Sequence, residues 1–296
     1  MNRMAKGVIR KLTGGLDPNF NQNIDNEVNP DGQPQNNAEF VANIERFIKG
    51  TAVERFFKNN PNFIKELAEK ATALRDDPDT PICHQELMPK TTQVTMHQQV
   101  IYCDDSGSMQ NGKRWDSQAE LVNRIARITT RILPAKEGVA LRFINQGSND
   151  DPTLNFEQIR EALQRAKWGG STPIGTNLRS KILQPLVYDK LSSKLERPLL
   201  ISIITDGNPY PEPRSTLVDA IVECGDKLEG ADYPRESVKF VIGQVGSADD
   251  ATHFLQDIAN ESKIRDVVFV VEGRQTSYPL SIPLSTNTST NIRQRH

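Results

Sequence analysis

Asp104, Ser106 and Ser108 alternate along the run Asp104-Asp-Ser-Gly-Ser108, directly after the short apolar stretch Val100 to Cys103. Oxygen-bearing side chains at every second position, with Gly107 free to turn tightly, can face a single point. Carboxylates and hydroxyls with no histidine or reactive sulfur among them form a hard donor set that suits Mg²⁺. The apolar stretch reads as a buried strand, and strands of α/β proteins present ligands at their carboxyl ends. The same residue types also suit a plain strand end followed by a capped helix start, where Asp and Ser satisfy free backbone N–H groups. Which of the two applies depends on what else the fold brings to this edge.

The elements that would position this run follow from hydrophobic periodicity. Val94 to Cys103 gives a strand and Arg114 to Leu133 a helix, with Leu121, Val122, Ile125, Ile128, Thr129 and Ile132 inward and Pro134 as its stop. Val139 to Ile144 is a strand, Asp150 to Thr153 a turn, Phe156 to Lys167 a helix and Trp168 to Gly175 a loop. Thr176 to Leu191 is a helix with Pro185 placed to bend it, and Leu199 to Thr205 is a strongly apolar strand ending at Asp206-Gly207. Ser215 to Leu228 is a helix, Val238 to Val245 a strand, Asp249 to Asn260 a helix with Ser247 and Asp250 as its capping box, and Val267 to Val271 a last strand. Alternation of this kind predicts an α/β fold: an open, doubly wound, mostly parallel sheet with helices on both faces.

Upstream lies a small helical extension. Phe40, Val41, Ile44, Phe47 and Ile48 form one stripe ended by Gly50, Thr51 and Glu54 make a capping box, and Asn60-Pro61 starts a third helix carrying Phe63, Ile64, Leu67, Ala71 and Leu74. Its phenylalanines are expected to pack against the main domain. The resulting division is 1–37 as a disordered segment, 38–90 as helical extension and linker, 91–272 as the main domain and 273–296 as a disordered tail. Residues 1–16 space Val8, Leu12 and Leu16 helically among Arg3, Lys6, Arg10 and Lys11, a pattern able to make weak contact with an anionic membrane.

Composition narrows the function classes. Among 296 residues, 36 Lys plus Arg stand against 38 Asp plus Glu, a balance that gives no reason to expect nucleic-acid binding. Cys83, Cys103 and Cys224 are widely spaced without metal-type pairing, and no apolar signal core opens the chain, so a reducing, intracellular setting is expected. His84, His97, His253 and His296 are scattered and form no catalytic or zinc pattern, and no phosphate-binding Gly-rich loop with Lys occurs.

Three segments should meet at one sheet edge: Asp104-Asp-Ser-Gly-Ser108, Gly169-Gly-Ser-Thr-Pro-Ile-Gly175 and Ile203-Ile-Thr-Asp-Gly207. Together, and over roughly residues 94–272, they resemble the von Willebrand factor A (VWA) domain and its metal-ion-dependent adhesion site. That resemblance implies a Rossmann-like sheet of VWA type and Mg²⁺ (Mn²⁺ or Ca²⁺ as substitutes) held by the hydroxyls of Ser106, Ser108 and Thr172. Asp104 and Asp206 would supply charge directly or through water. It further implies a protein-binding role, without catalysis, in which an Asp or Glu of a partner protein completes the ion's shell. Two departures stand out. Asp105 takes a position that is usually apolar in the family, and the loop carries an extra Ser171, which is an alternative to Thr172 as the ligand.

The strand end also resembles the haloacid-dehalogenase phosphatases, with Asp104 as nucleophile, Thr205 as phosphate holder and Asp249-Asp250 as Mg²⁺ acids. That chemistry needs a second Asp two residues on as general acid and base, and Ser106 stands there instead. A scaffold whose metal site has no partner and only steadies the sheet edge is a further alternative.

Overall fold

The computed structural model describes residues 33–77, 88–147 and 150–271. The expectations for residues 1–16, for most of the first linker, for Cys83 and His84, and for the tail beyond 271 lie outside these residues. Asn37–Ile48 (α1), Glu54–Phe57 (α2), Pro61–Arg75 (α3) and Met88–Thr95 (α4) precede the first strand, Gln98–Cys103 (β1). Then come Arg114–Ile132 (α5), Val139–Phe143 (β2), Phe156–Arg165 (α6) and a continuous helical run, α7, made of Ile174–Leu178, Arg179–Tyr188 and Asp189–Leu191. Leu199–Thr205 (β3), Ser215–Gly230 (α8), Val238–Gln244 (β4), Asp249–Asn260 (α9) and Val268–Val271 (β5) complete the described chain.

The five strands pair wholly in parallel in the order β2-β1-β3-β4-β5. Side chains alternate across the sheet, so each strand is apolar on both faces, and both faces carry helices. Val100 and Tyr102 of β1 join Ile201 and Ile203 of β3 and Phe240 and Ile242 of β4 under residues of α7, α8 and α9, including Leu178, Ile221 and Phe254. On the other face Ile101, Cys103, Leu141 and Phe143 pack against Val122 and Ala126 of α5 and Ile159 and Leu163 of α6. Chain order reverses between neighbouring β1 and β3: β1 leads through α5 to β2 on one side, and β3 leads through α8 to β4 on the other. The crevice outside the carboxyl ends of those two strands is where open α/β sheets bind ligands.

The helical extension shares the first core. Phe40, Ile44, Phe57, Phe63 and Leu67 are buried in the cluster that includes the sheet residues Val100 and Tyr102, and the Phe57 and Phe63 rings lie 5.2 Å apart. Asn60 caps α3 by accepting from the Phe63 N–H at 3.3 Å, with Pro61 at the first helical position. Two expected capping boxes are not made. Thr51 Oγ1 donates to the Ile48 carbonyl and Glu54 accepts from the Gly50 N–H, with Val53 at the N-cap of α2. Ala248 takes the N-cap of α9 with no side-chain cap bond.

One further expectation is corrected. The first strand starts at Gln98, because the Thr- and Val-rich stretch before it is the end of α4, with Thr91, Thr92 and Thr95 buried. Pro185 lies within the π-helical part of α7, whose wider turns accommodate a residue that cannot donate to the helix ladder.

His97, between α4 and β1, is buried with neither ring nitrogen hydrogen-bonded. Burial, reinforced by the positive charges of Lys239 and Arg197, lowers its pKa from 6.5 to about 3. The unfolded chain therefore binds a proton below pH 6.5 that the folded chain excludes, so the stability contribution is complete above pH 6.5 and falls with pH. At pH 5 the loss is about 2 kcal/mol. Melting temperatures measured between pH 7.5 and 5 are expected to fall less for His97→Gln than for the parent; parallel curves would contradict this.

Candidate functional site

The run after β1 and the residue after β3 close into one hydrogen-bonded cluster. Asp104, fully buried, accepts from the Ser106 N–H through Oδ1 at 2.8 Å and from Thr205 Oγ1 through Oδ2 at 2.6 Å. Its backbone N–H bonds the Ile204 carbonyl at 2.9 Å, which ties the two strand ends together. Ser106 Oγ and Ser108 Oγ lie 3.0 Å apart, and Ser108 Oγ donates to Asp206 Oδ1 at 2.8 Å. Burial raises the Asp104 pKa, while the hydrogen bonds from Ser106 and Thr205 oppose that shift.

The third segment is stitched to the first and to Tyr210 in the loop after β3. Gly107 N–H donates to the Gly170 carbonyl at 3.0 Å and Gly169 N–H to the Asp105 carbonyl at 2.7 Å. Thr172 exchanges both backbone bonds with Tyr210, at 2.7 and 3.1 Å, in a short antiparallel bridge. Gly170 has φ +86°, a conformation that suits glycine, and an added Cβ there would press on Asn145 at 3.1 Å. Thr172 is buried apart from 7% of its surface, and among the described residues its hydroxyl has no hydrogen-bond partner. Ser171, by contrast, contributes its carbonyl to Asn145 Nδ2 at 2.8 Å.

Asp105 is turned to a different task. Its Oδ1 accepts from the Asn145 backbone and side chain at 2.7 and 3.2 Å, and its Oδ2 from the Gln146 backbone and side chain at 2.8 and 3.1 Å. Four donors saturate the carboxylate and fasten the loop after β2, where Lys181 also donates to the carbonyls of Phe143, Ile144 and Gln146. An apolar residue at 105 could not hold that loop.

Arg114 and Gln118 enter the site without having been singled out in the sequence. Arg114 donates to Asp206 Oδ2 at 2.5 Å and to the Ser108 carbonyl at 3.3 Å. The Asp206 side chain is fully buried and that of Arg114 is 22% exposed. Gln118 clamps the Asp104 backbone from both sides, donating to its carbonyl at 2.8 Å and accepting from its N–H at 3.1 Å. These two residues are four apart at the start of α5, which puts them on one helix face. The apolar stripe that identified the helix says nothing about that polar end.

The donor set fits a hard cation. Hydroxyls and carboxylates converge and neutral and charged oxygens are mixed, although among the described residues, this site included, no group of three or more His, Cys, Asp or Glu is gathered around one point. The adjacent Cys103 thiol has its pKa pushed up by burial and then by Asp105 and Asp104. Asp249 and Asp250 lie in the first turn of α9 after β4. No family model and no curated protein matches this chain. No helix among the described residues is long and apolar enough to cross a membrane.

Proposed function

We propose that this chain is a divalent-cation-dependent protein-binding module of the VWA type, which captures an acidic side chain of another protein and catalyses nothing. The observation that carries the reading is the chain of contacts Asp104–Ser106–Ser108–Asp206 at the switch point of the sheet, with the partnerless hydroxyl of Thr172 in the loop bonded to the first segment and to Tyr210. Ser106, Ser108 and Thr172 would hold the ion through hydroxyls, and Asp104 and Asp206 through charge, directly or by way of water. Mg²⁺, or Mn²⁺ or Ca²⁺ in its place, would supply an under-compensated positive charge and an open position for a carboxylate.

The surroundings support binding over catalysis. Asp104, which a phosphatase would use as nucleophile, has both carboxylate oxygens engaged and no exposed surface. The exposed large hydrophobic residues among those described are Trp168 and Tyr210, 46% and 71% exposed, and both belong to the loop segments that flank Thr172. Exposed aromatics beside a polar centre are what a docking surface offers. A peptide library selected against the protein in Mg²⁺ is expected to yield acid-containing sequences whose binding is lost with chelator and on Asp→Asn change. Selected sequences that bind equally in chelator, or that lack acids, would contradict the proposal.

Arg114 gives this reading a built-in counter-ion. It neutralises Asp206 in the metal-free protein, and its charge opposes a cation bound nearby. Arg114→Gln is expected to lower metal-free stability by about 1–3 kcal/mol, because Asp206 keeps only the Ser108 bond, and to tighten Mg²⁺ binding so that the ion restores the melting temperature. Loss of stability that Mg²⁺ does not restore would show that Arg114 acts only as a structural partner.

A further inference from the structure

On the sheet face that carries α5 and α6, helical cover stops part of the way across. Beyond α5 the floor continues to Leu200 of β3 and Val241 of β4, a small separate cluster with Val94, Phe269 and Val271 packed partly against it. Between this floor and the half-buried Leu121, Ile125 and Ile128 of α5 lies an almost wholly apolar groove of about 130 Å³. It reaches from Leu200 at the start of β3 to Ile204 and Val271 at the strand ends, and so runs along the strands for ~13 Å or more.

We propose that this groove is the docking site of the chain's own C-terminal segment, Tyr278-Pro-Leu-Ser-Ile-Pro-Leu284. That segment places Tyr278, Leu280, Ile282 and Leu284 in strict alternation with Pro279, Ser281 and Pro283. Alternation with period two puts all four apolar side chains on one side of an extended chain, ~20 Å from first to last. The two prolines favour extended backbone and lack N–H groups, which suits a segment laid on an apolar face better than one added to a sheet edge. The tether fits as well. β5 ends at Val271, itself a wall of the groove, and the connector 272–277 reaches at most ~20 Å, enough to turn back along the face. So short a tether holds the segment at high effective concentration, and weak side-chain contacts then suffice.

The test uses the full chain with the photo-crosslinker p-benzoylphenylalanine at position 282, irradiated at low protein concentration and mapped by mass spectrometry. Intrachain adducts on α5 between Leu121 and Ile128, or on β3 or β4, are expected, and they should be lost when Leu280→Asp and Leu284→Asp are added. Adducts elsewhere on the chain, adducts between two chains, or no adducts would overturn the proposal. A probe at position 8 that labels the groove while position 282 does not would assign it to the N-terminal segment. A chain ending at Ser277 is expected to melt about 3 °C or more below the full chain, and an unchanged melting temperature would also count against docking.

Discussion

Arg197→Ala is expected to destabilise the protein by about 3–5 kcal/mol, seen as a shift of the denaturant midpoint at pH 7. Arg197 is 7% exposed and joins three parts of the molecule. Its guanidinium pairs with Glu137 Oε2 at 2.5 Å and donates to the carbonyls of Thr95, Met96 and His97 at 2.9, 3.2 and 2.9 Å. The Thr95 carbonyl ends α4 and those of Met96 and His97 follow it, with no helical N–H to bond them, so the side chain serves as the helix's C-terminal cap. The same guanidinium lies over the Phe63 ring of α3 at 4.8 Å. Truncation to alanine leaves the Thr95 and Met96 carbonyls without their donor, while that of His97 keeps the Gln99 amide at 3.1 Å, and it leaves a partly buried carboxylate unpaired; each such loss costs more than the bond that satisfied it contributed. Arg197→Lys keeps the charge but cannot fork among four acceptors, and an intermediate loss is expected. A loss below about 1 kcal/mol for alanine would mean that water replaces the guanidinium and that α4 needs no such cap.

Thr172→Ala separates the metal reading from a structural one more sharply than any carboxylate change. Its hydroxyl bonds nothing among the described residues, so thermal stability in chelator should fall by only about 1 kcal/mol, the worth of the buried methyl group that is lost with it. Mg²⁺ affinity should fall at least about tenfold, since a direct ligand is removed. Ser171→Ala is the matched control: the part Ser171 plays is its backbone carbonyl, which the substitution keeps, so affinity should not change. Asp104→Ala is a poorer probe, because it takes the short bond from the buried Thr205 hydroxyl, which keeps only longer contacts to Gly207, and strands the Ser106 N–H. If Ser171→Ala weakens binding and Thr172→Ala does not, the loop ligand has been assigned to the wrong residue.

Much of the fold was legible because apolar period and punctuation agreed. Leu199–Thr205 is found with the bounds its sequence suggests, as an apolar β-branched run between Pro198 and Asp206. Asp249–Asn260 likewise matches its helical stripe. The misreading before β1 has a physical cause: Thr-Thr-Gln-Val-Thr carries strand-like side chains, yet tertiary packing and the Arg197 cap hold it as helix. The Thr51–Glu54 capping box is a short match that a neighbouring group overruled, since Glu54 turned to the Gly50 N–H. At the site, the oxygen pattern of residues 104–108 and the Thr-Asp after β3 could be read locally. The saturation of Asp105 by Asn145 and Gln146 could not, and neither could the Arg114–Asp206 pair, because each joins residues that belong to separate elements.

The central claim is that these oxygens hold a divalent cation. Isothermal titration of Mg²⁺ into metal-free protein, with Asp206→Ala beside it, tests that claim most directly. Saturable binding at a single site, lost in the variant, is the predicted result. Absence of binding by the parent protein, or equal binding by the variant, would contradict it.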